Sequence, residues 1–260
     1  MRALLFLLTL ALGAAAMAAE QIEQTLELGI GIGGVSAPDY RGSREYRHTL
    51  SPIPYLVYRG RFFQADRDGL RGEFLRHDLY ELNISASATL TPESHRNPLR
   101  EGMPSIYSTL EIGPALNVNV TGQLLEEGWM LSLPVHAVIQ VGGRPDPVGW
   151  VAHPQLVYRW PFAKSALTYR TGLYFADRHY HRHYYAVAEE FATDERPEYN
   201  VGGGYSGWSH QLVLSRRTEN WWYGAYVRYE NLSGAVFIDS PLAETRHAIA
   251  SGAGISRVIF

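Results

Sequence analysis

Residues 80–90 read YELNISASATL, with an apolar side chain at every second position and a polar side chain at each position between. Successive side chains of a β-strand point to opposite faces, so this stretch predicts a strand with one apolar and one polar face. Strands of soluble β-sandwiches usually have about five or six residues, whereas a strand that crosses a membrane at a tilt needs about nine to eleven. The length of the alternation therefore favours a transmembrane strand.

The same alternation recurs in residues 106–120, 129–141 and 221–230. Aromatic residues also stand at many predicted strand ends, where the aromatic girdles of a membrane barrel are expected. They are Tyr80, Trp129, Trp150, Trp160, Trp208 and Trp221. These patterns predict an all-β protein that forms a single transmembrane antiparallel β-barrel.

The barrel is predicted to have about twelve strands, an even number as is usual for such proteins. The predicted strands are 24–35, 49–59, 61–72, 78–90, 105–121, 127–141, 148–160, 164–176, 197–206, 208–217, 220–231 and 247–260. Two of them fit the pattern less well, because 49–59 contains Pro52 and Pro54 and 197–206 is rich in glycine. Ten strands is therefore the alternative. Longer connections are predicted at 36–48, 91–104, 177–196 and 232–246.

The start of the chain has the pattern of a cleaved signal peptide. Residues 1–19 begin with the basic Arg2, continue with an apolar run and finish in small residues. A retained membrane anchor is the alternative, but Glu20 and Glu23 follow the apolar run, where an anchor would have Lys or Arg. We therefore predict a signal peptide at 1–19.

The other end of the chain is typical of a bacterial outer-membrane barrel. Residues 246–259 alternate and lead to a terminal aromatic residue, Phe260, as in the strand that closes such barrels. No internal repeat or linker divides the rest of the sequence. We therefore predict one barrel domain at 20–260, located in the cell outer membrane.

The composition excludes several kinds of site and partner. The chain has no cysteine, so disulfides, zinc–thiolate sites, a cysteine nucleophile and a lipid-modified cysteine are excluded. Its 23 basic and 26 acidic residues leave a formal net charge of −3, which does not indicate nucleic acid as a partner. The partner that the alternating strands require is the lipid of the outer membrane.

Residues 177–185, DRHYHRHYY, contain the most conspicuous group of candidate metal ligands. In an extended segment the three histidines at alternate positions would share one face, and imidazole is a common ligand of transition metals. The interleaved Arg178 and Arg182 add positive charge, which disfavours a bound cation. We therefore interpret the stretch as a loop or strand end at the membrane interface, and predict no metal and no cofactor.

Catalytic residues are not singled out by any spacing in the sequence. Ser209 and His210 are neighbours, so in a strand they point to opposite faces and cannot pair as nucleophile and base. His136 and His153 lie on the polar faces of their predicted strands and could meet an inward-facing Ser or Glu. The prediction is that the protein is not an enzyme; a lipid-modifying enzyme at the barrel rim is the alternative.

The polar faces of the predicted strands carry charges of both signs. These residues are Glu81, Glu111, Arg159, Arg170, Arg228, Glu230 and Arg257. Mixed charges in a narrow lumen more often pair with one another than line a selective pore. A barrel of about twelve strands lies between the filled eight-stranded type and the open sixteen-stranded porins. A small-solute channel is therefore an alternative function.

Short motifs are spaced along the whole chain. GIGG at 31–34, APDYRGS at 37–43 and PIPY at 52–55 come first, and TLEIG at 109–113 and DSPL at 239–242 follow. In this order they resemble the MltA-interacting protein family, also called the MipA/OmpV family. The two most specific motifs, PDY-x-GS and DSPL, contribute the family-motif loop residues Pro38, Asp39, Tyr40, Gly42, Ser43, Asp239, Ser240 and Pro241.

These two motifs have the residue types of turns, since Pro restricts φ, Asp accepts hydrogen bonds from its own backbone and Gly allows a left-handed conformation. They lie in the first and last long connections, which a closed barrel brings side by side. We expect the motifs to brace each other at the outer rim. The alternative is that each motif shapes only its own loop.

The resemblance implies an outer-membrane barrel without enzymatic activity of its own. Members of the family are described as scaffolds that join a murein transglycosylase to a murein synthase, and others as surface antigens or adhesins. With the N-terminus in the periplasm and the twelve predicted strands, connections 91–104 and 177–196 fall on the periplasmic side and would offer a docking surface. The expected function is therefore a cell-wall scaffold, with a small-solute channel or a surface adhesin as alternatives.

Overall fold

A computed structural model describes residues 25–59, 63–66, 69–89, 97–141 and 145–259. The predicted signal peptide and Phe260 lie outside these residues. The described chain forms one antiparallel sheet that closes on itself. Within the described part, no helix has the length and apolar character needed to cross a membrane.

The sheet is built from thirteen strand segments in the described residues. They are β1 Thr25–Pro38, β2 Tyr46–Arg59, β3 Phe63–Asp66, β4 Gly69–His77, β5 Tyr80–Thr89, β6 Thr109–Asn119, β7 Gly128–Gln140, β8 Asp146–Ala152, β9 Gln155–Phe162, β10 Ser165–Ala176, β11 Gly204–Arg217, β12 Trp221–Asn231 and β13 His247–Val258. One α-helix, α1, spans Arg178–Tyr185, and short 3-10 helices span Pro98–Arg100 and Glu189–Phe191.

Two of the segments, β8 and β9, are halves of a single wall strand. Both pair with β7 on one side and with β10 on the other, and only His153 and Pro154 separate them. The thirteen segments therefore make twelve wall strands. Pairing of β13 with both β12 and β1 closes the barrel, so the predicted twelve-stranded antiparallel barrel is confirmed.

Two strand predictions are wrong, and they compensate in the count. The predicted strand 61–72 is instead divided between β3 and β4, which pair with each other antiparallel from Phe63↔Gly72 to Asp66↔Gly69. The predicted strand 197–206 is largely a loop, because the chain enters β11 only at Gly204. The sequence DRDG at 66–69 has residue types typical of turns, and three consecutive glycines stand at 202–204. These residue types outweigh the alternation on which both predictions depended.

The extra strand moves the long connections to the other side of the membrane. Connections 39–45, 97–108, 177–203 and 232–246 all leave the sheet at the end opposite to residues 25 and 258. Outer-membrane barrels have short periplasmic turns and longer extracellular loops, so this end is extracellular. The predicted periplasmic position of 91–104 and 177–196 is therefore wrong for their described residues, 97–104 and 177–196.

The wall has apolar side chains outside and polar side chains inside. On β5, Glu81 and Asn83 are 2% and 1% exposed, whereas Leu82 and Ile84 are 40% and 39% exposed. Exposed aromatic residues form a row near each end of the wall, with Tyr46, Trp150, Phe175, Trp208 and Tyr229 near the extracellular end and Phe74, Tyr80, Trp160 and Trp221 near the periplasmic end. This arrangement is that of a barrel surrounded by lipid.

Candidate functional site: an extracellular cap over a polar lumen

The long extracellular connections pack together into a cap over one end of the barrel, and this is where most of the apolar core lies. Helix α1 sits between these connections and the upper ends of the strands. The buried residues of the cap and its supports are Tyr40, Ile106, Val138, Val148, Val151, Ala176, Tyr184, Tyr185, Val201, Leu232, Ala235 and Phe237. The centre of the cap is a stacked pair, Tyr185 and Phe237, with ring centroids 3.7 Å apart.

The PDY-x-GS and DSPL motifs meet inside this cap. The Tyr40 hydroxyl donates to the Leu242 carbonyl at 2.8 Å, and the Gly42 carbonyl accepts from the Glu244 amide at 2.8 Å. Ser240 Oγ donates to the Tyr185 carbonyl at 2.7 Å, and the Tyr185 hydroxyl donates to the Arg41 carbonyl at 2.8 Å. Tyr185 of α1 thus joins the two motifs as a third partner.

Each motif also stabilises its own loop. Asp39 is buried, and its carboxylate accepts a hydrogen bond from Arg47 Nε at 2.5 Å and another from the Asn97 side-chain amide at 3.0 Å. The Ser43 amide donates to the Tyr40 carbonyl, and Gly42 between them has φ of +96°, a left-handed conformation that favours glycine. Pro38 is the last residue of β1.

The DSPL residues occupy different environments within their turn. Ser240 is buried, Pro241 is half-buried and Asp239 is exposed. The motif residues that link the two loops are therefore Tyr40, Gly42 and Ser240. Asp39 and Ser43 order the first loop.

The histidine-rich segment 177–185 is mainly a helix and lies in the cap, so its interpretation as an extended loop or strand end is corrected. Asp177 is the N-cap, and its side chain accepts from the Tyr180 amide at 2.9 Å. Helical spacing places His181 and Tyr185 on the buried face. No cluster of potential metal ligands is present among the described residues.

Buried ionisable groups in the cap are held in their uncharged or paired forms. Burial, and then the Arg41 guanidinium, lowers the pKa of His181, although a hydrogen bond to the Gly202 carbonyl opposes this. Burial and the Arg100 guanidinium lower the pKa of His183 to about 4. Burial also raises the pKa of Tyr184 to about 12. The cap is therefore assembled around neutral imidazoles and phenols.

Arg41, the variable residue of PDY-x-GS, connects the cap to the lumen. Its Nε lies 3.1 Å from Glu230 Oε2, and its Nη1 donates to Ser206 Oγ at 3.2 Å. Its guanidinium also lies over the Tyr174 ring, 4.4 Å from the centroid. Burial disfavours the charged form, but the Glu230 carboxylate together with the nearby Tyr185, Tyr180 and Tyr174 outweighs it and raises the pKa of Arg41.

Beneath the cap, the lumen holds a polar cavity of about 310 Å³. It reaches from Leu125 and Glu126 in the periplasmic turn at 120–127 up to Tyr174 and Arg228 below the cap. Of the seven charged residues predicted to face inward, Arg257 is exposed on the outside of β13, where Ser256 points inward instead. The cavity is therefore lined by both signs of charge and extends to the periplasmic end.

Two histidine–serine pairs lie along this cavity. His136 Nε2 is 2.8 Å from Ser85 Oγ, and His136 Nδ1 is 3.8 Å from Glu111 Oε2. His153 Nε2 is 3.2 Å from Ser209 Oγ. A Ser–His hydrogen bond is the first requirement of a nucleophile–base pair, but a separation of 3.8 Å is too long for the carboxylate to orient the imidazole by hydrogen bonding.

Gly113 makes the contact between His136 and Ser85 possible. On β6 it pairs with Ser85 of β5, and a Cβ added to it would lie 2.1 Å from the Val135 carbonyl oxygen and 2.9 Å from His136 Cα. A side chain at this position would therefore displace β7.

Sequence reasoning missed several residues that build the cap. Asn97, Arg100, Tyr185 and Phe237 hold it together, yet only the tertiary fold brings their loops into contact. Arg100 is buried and donates to the carbonyls of Tyr184 and Pro104. One signal was available: Asp177 followed by aromatic residues at helical spacing, Tyr180 and Tyr184, indicates a capped helix.

Known proteins are similar to this chain in structure and, through a family model, in sequence. Among solved structures, the chain is similar to the NanC porin, with TM-score 0.39, 8% identity and coverage of 90% of this chain and 99% of that one. It is also similar to the CymD monoaromatic hydrocarbon channel, with TM-score 0.36, 12% identity and coverage of 92% and 90%. No curated protein shows significant sequence similarity.

The family comparison is more specific than these structural similarities. The model of the family described as MltA-interacting protein MipA matches residues 30–259. This range includes both cap motifs, the histidine-rich helix and every wall strand except the start of β1. It confirms the resemblance inferred from the motifs. The chain is therefore an outer-membrane β-barrel protein that belongs to the MltA-interacting protein MipA family.

Proposed function

We propose that this protein is a non-enzymatic scaffold of the outer membrane that holds a murein transglycosylase of the MltA kind at the periplasmic surface and brings it to a murein synthase. The observation that carries the proposal is the family match over residues 30–259, since the family is described by interaction with MltA. The cap adds support, because cell-wall enzymes act in the periplasm and the cap occupies the opposite end.

The docking surface in this proposal is the periplasmic rim, in place of connections 91–104 and 177–196. Leu79, in the turn between β4 and β5, and Val120, in the turn between β6 and β7, are 60% and 57% exposed. Their turns are adjacent, since the Asn119 amide donates to the Leu79 carbonyl at 2.7 Å. Two neighbouring exposed apolar side chains beside the acidic Glu126 and Glu127 form a surface suited to a partner with an apolar and basic patch.

Site-specific cross-linking tests this proposal. A photo-reactive amino acid is placed at Leu79 or Val120, and the matched control carries it at Glu195, an exposed residue of the extracellular cap. The protein is reconstituted in vesicles with its periplasmic end accessible and mixed with a purified transglycosylase of the MltA kind. We expect covalent products from Leu79 and Val120 and none from Glu195. Equal yields at all three positions, or no product at any of them, would refute the proposed surface.

A small-solute channel is the second candidate, favoured by the polar cavity of about 310 Å³ in the lumen. Packing of the cap over the extracellular end opposes free passage in this conformation. Conductance of the purified protein in a planar bilayer separates the two functions: sustained single-channel currents would favour the channel, and a silent protein would remove it. The surface adhesin or antigen remains a prediction, for which the exposed extracellular residues of the cap would be the contact surface.

A further inference from the structure

A row of four stacked rings crosses the wall from β10 to β13. The rings are Tyr169 on β10, His210 on β11, Tyr229 on β12 and His247 on β13. Neighbouring centroids are 6.2, 6.3 and 5.9 Å apart, and neighbouring planes are within 25° of parallel. All four strands belong to the continuously described part of the chain, 145–259. We call these four residues the ring ladder.

The ring ladder lies on the outer face of the wall, at the level of the lipid headgroups. Ser209, next to His210 in the strand, lines the lumen cavity, so the His210 side chain is on the outer face. Tyr229 belongs to the extracellular row of exposed aromatic residues, which marks the membrane interface. Leu212 and Val227, 42% and 45% exposed, continue the outer face towards the periplasmic end. The ladder therefore lies where headgroups meet acyl chains.

Each imidazole of the ring ladder is held by a tyrosine hydroxyl. Tyr169 Oη lies 2.7 Å from His210 Nδ1, and Tyr229 Oη lies 2.7 Å from His247 Nδ1. A phenol is a stronger donor than an imidazole, and an imidazole nitrogen is the stronger acceptor, so we assign each hydroxyl as the donor. Each neutral imidazole then carries its proton on Nε2. Among the described residues, neither Nε2 has a hydrogen-bond partner, so the ladder presents two N–H donors.

The charges around the ring ladder favour an anion as its ligand. Arg246 is exposed and directly precedes His247. By contrast, the exposed charged residues of cap segment 189–198 are all acidic: Glu189, Glu190, Asp194, Glu195 and Glu198. An anionic group is therefore attracted to the wall beside His247 and repelled by this part of the cap. Hydrogen bonds from N–H donors to anionic oxygens are also stronger than those to neutral acceptors.

We propose that the ring ladder is a binding site for an outer-leaflet lipid whose headgroup bears two phosphate groups. One phosphate accepts a hydrogen bond from His247 Nε2 and pairs with Arg246, and the other accepts from His210 Nε2. Two ring spacings, 6.3 and 5.9 Å, separate the two imidazoles. A hydrogen bond to a phosphate spans only about 2.8 Å, so one phosphate cannot reach both imidazoles. The acyl chains lie against Leu212 and Val227, on the periplasmic side of the ladder.

Lipid binding measured by native mass spectrometry tests the site. The full barrel in detergent micelles is titrated with diphosphorylated lipid A or with its monophosphorylated form, and a heat-dependent shift in gel mobility checks that each variant is folded. The double variant His210→Phe and His247→Phe keeps both rings but removes both N–H donors. His77→Phe is the matched control, because His77 is exposed and stacks on Tyr80 at the periplasmic end. We expect the double variant to bind the diphosphorylated probe at least about tenfold more weakly, as for loss of hydrogen bonds to a charged group, and the control to bind it like the unchanged protein.

Two further comparisons test the headgroup chemistry. The unchanged protein is expected to bind the diphosphorylated probe several-fold more tightly than the monophosphorylated one, and equal affinities would overturn the requirement for two phosphates. Arg246→Gln changes no ring and is expected to weaken binding of the diphosphorylated probe several-fold; an unchanged affinity would overturn the role of this guanidinium. Full binding by the double variant, or an equal loss in His77→Phe, would overturn the site itself. None of these outcomes involves the proposed periplasmic docking surface, so this proposal and the scaffold proposal can fail separately.

Discussion

The two ends of this barrel are built in different ways. At the extracellular end, four connections from distant parts of the chain, one of which contains α1, share a buried core, with contacts such as Tyr40 to Leu242 and Tyr185 to Arg41. At the periplasmic end, neighbouring strands are joined by turns, such as Thr218 to Asn220, that are stabilised mainly by local hydrogen bonds. The extracellular end therefore depends on cooperative tertiary packing, whereas a periplasmic turn such as 218–220 is stabilised mainly within its own hairpin.

Truncation of a side chain at the centre of the cap is expected to destabilise the extracellular end far more than the matched change destabilises the periplasmic end. Phe237→Ala removes the ring stacked on Tyr185 and leaves a cavity in a fully buried site, which typically costs about 3–5 kcal/mol. We expect faster hydrogen exchange in α1 and in residues 232–246, with the wall strands unchanged. Leu79→Ala, in an exposed periplasmic turn, is the matched control and should leave exchange in the cap as it is. Unchanged exchange in Phe237→Ala would show that the cap is not one cooperative unit.

Removal of the charge that connects the cap to the lumen is expected to have a somewhat smaller effect. Arg41→Ala leaves Glu230 buried without its nearest cation, and breaking a buried ion pair costs about 3 kcal/mol or more. Arg228, whose Nε is 3.5 Å from Glu230, limits this loss. Protease digestion of the cap in reconstituted protein should accelerate for Arg41→Ala but not for Arg44→Ala, an exposed residue of the same loop. Equal digestion of both variants would contradict the bridging role of Arg41.

Acid is expected to weaken the cap selectively, with the smallest effect of the three. An imidazole in an unfolded cap has a pKa of about 6.5, and burial with the nearby Arg100 lowers the pKa of His183 to about 4 in the folded cap. The unfolded cap thus binds more protons, so the stability present above pH 6.5 is lost as the pH falls from 6.5 towards 4. Digestion of the cap should accelerate over this range.

His183→Leu should flatten that pH dependence, because it removes the group that binds the additional proton. His179→Gln is the matched control on the same helix, since its side chain is 82% exposed and remains in contact with water in both states. A pH profile that is unchanged by His183→Leu would assign the acid sensitivity to other groups, of which buried His181 is the nearest candidate.

How much could be predicted from the sequence differs between the wall and the cap. Alternation at Tyr80–Thr89 and Trp221–Asn231 predicts β5 and β12 closely, because successive side chains of a wall strand face the lipid and the lumen in turn. Prediction failed at 61–72 and 197–206, where turns and glycines interrupt the chain. It also failed for α1, where alternate histidines suggested an extended segment although the helix is set by the Asp177 cap and buried tertiary contacts.

By itself, the sequence determined the barrel, its membrane and its family, because a repeat of two and short motifs are local properties of the chain. The tertiary structure decided which end carries the long loops. Each additional strand moves the connections after it to the opposite end of the barrel. Predicting one strand at 61–72 instead of two therefore reversed the side of the later connections, until the wrongly predicted strand at 197–206 restored it. It also decided that Tyr40, Ser240 and Tyr185 meet, and that Ser85 lies beside His136. These contacts join residues distant in sequence, and only the closure and register of the sheet bring them within reach.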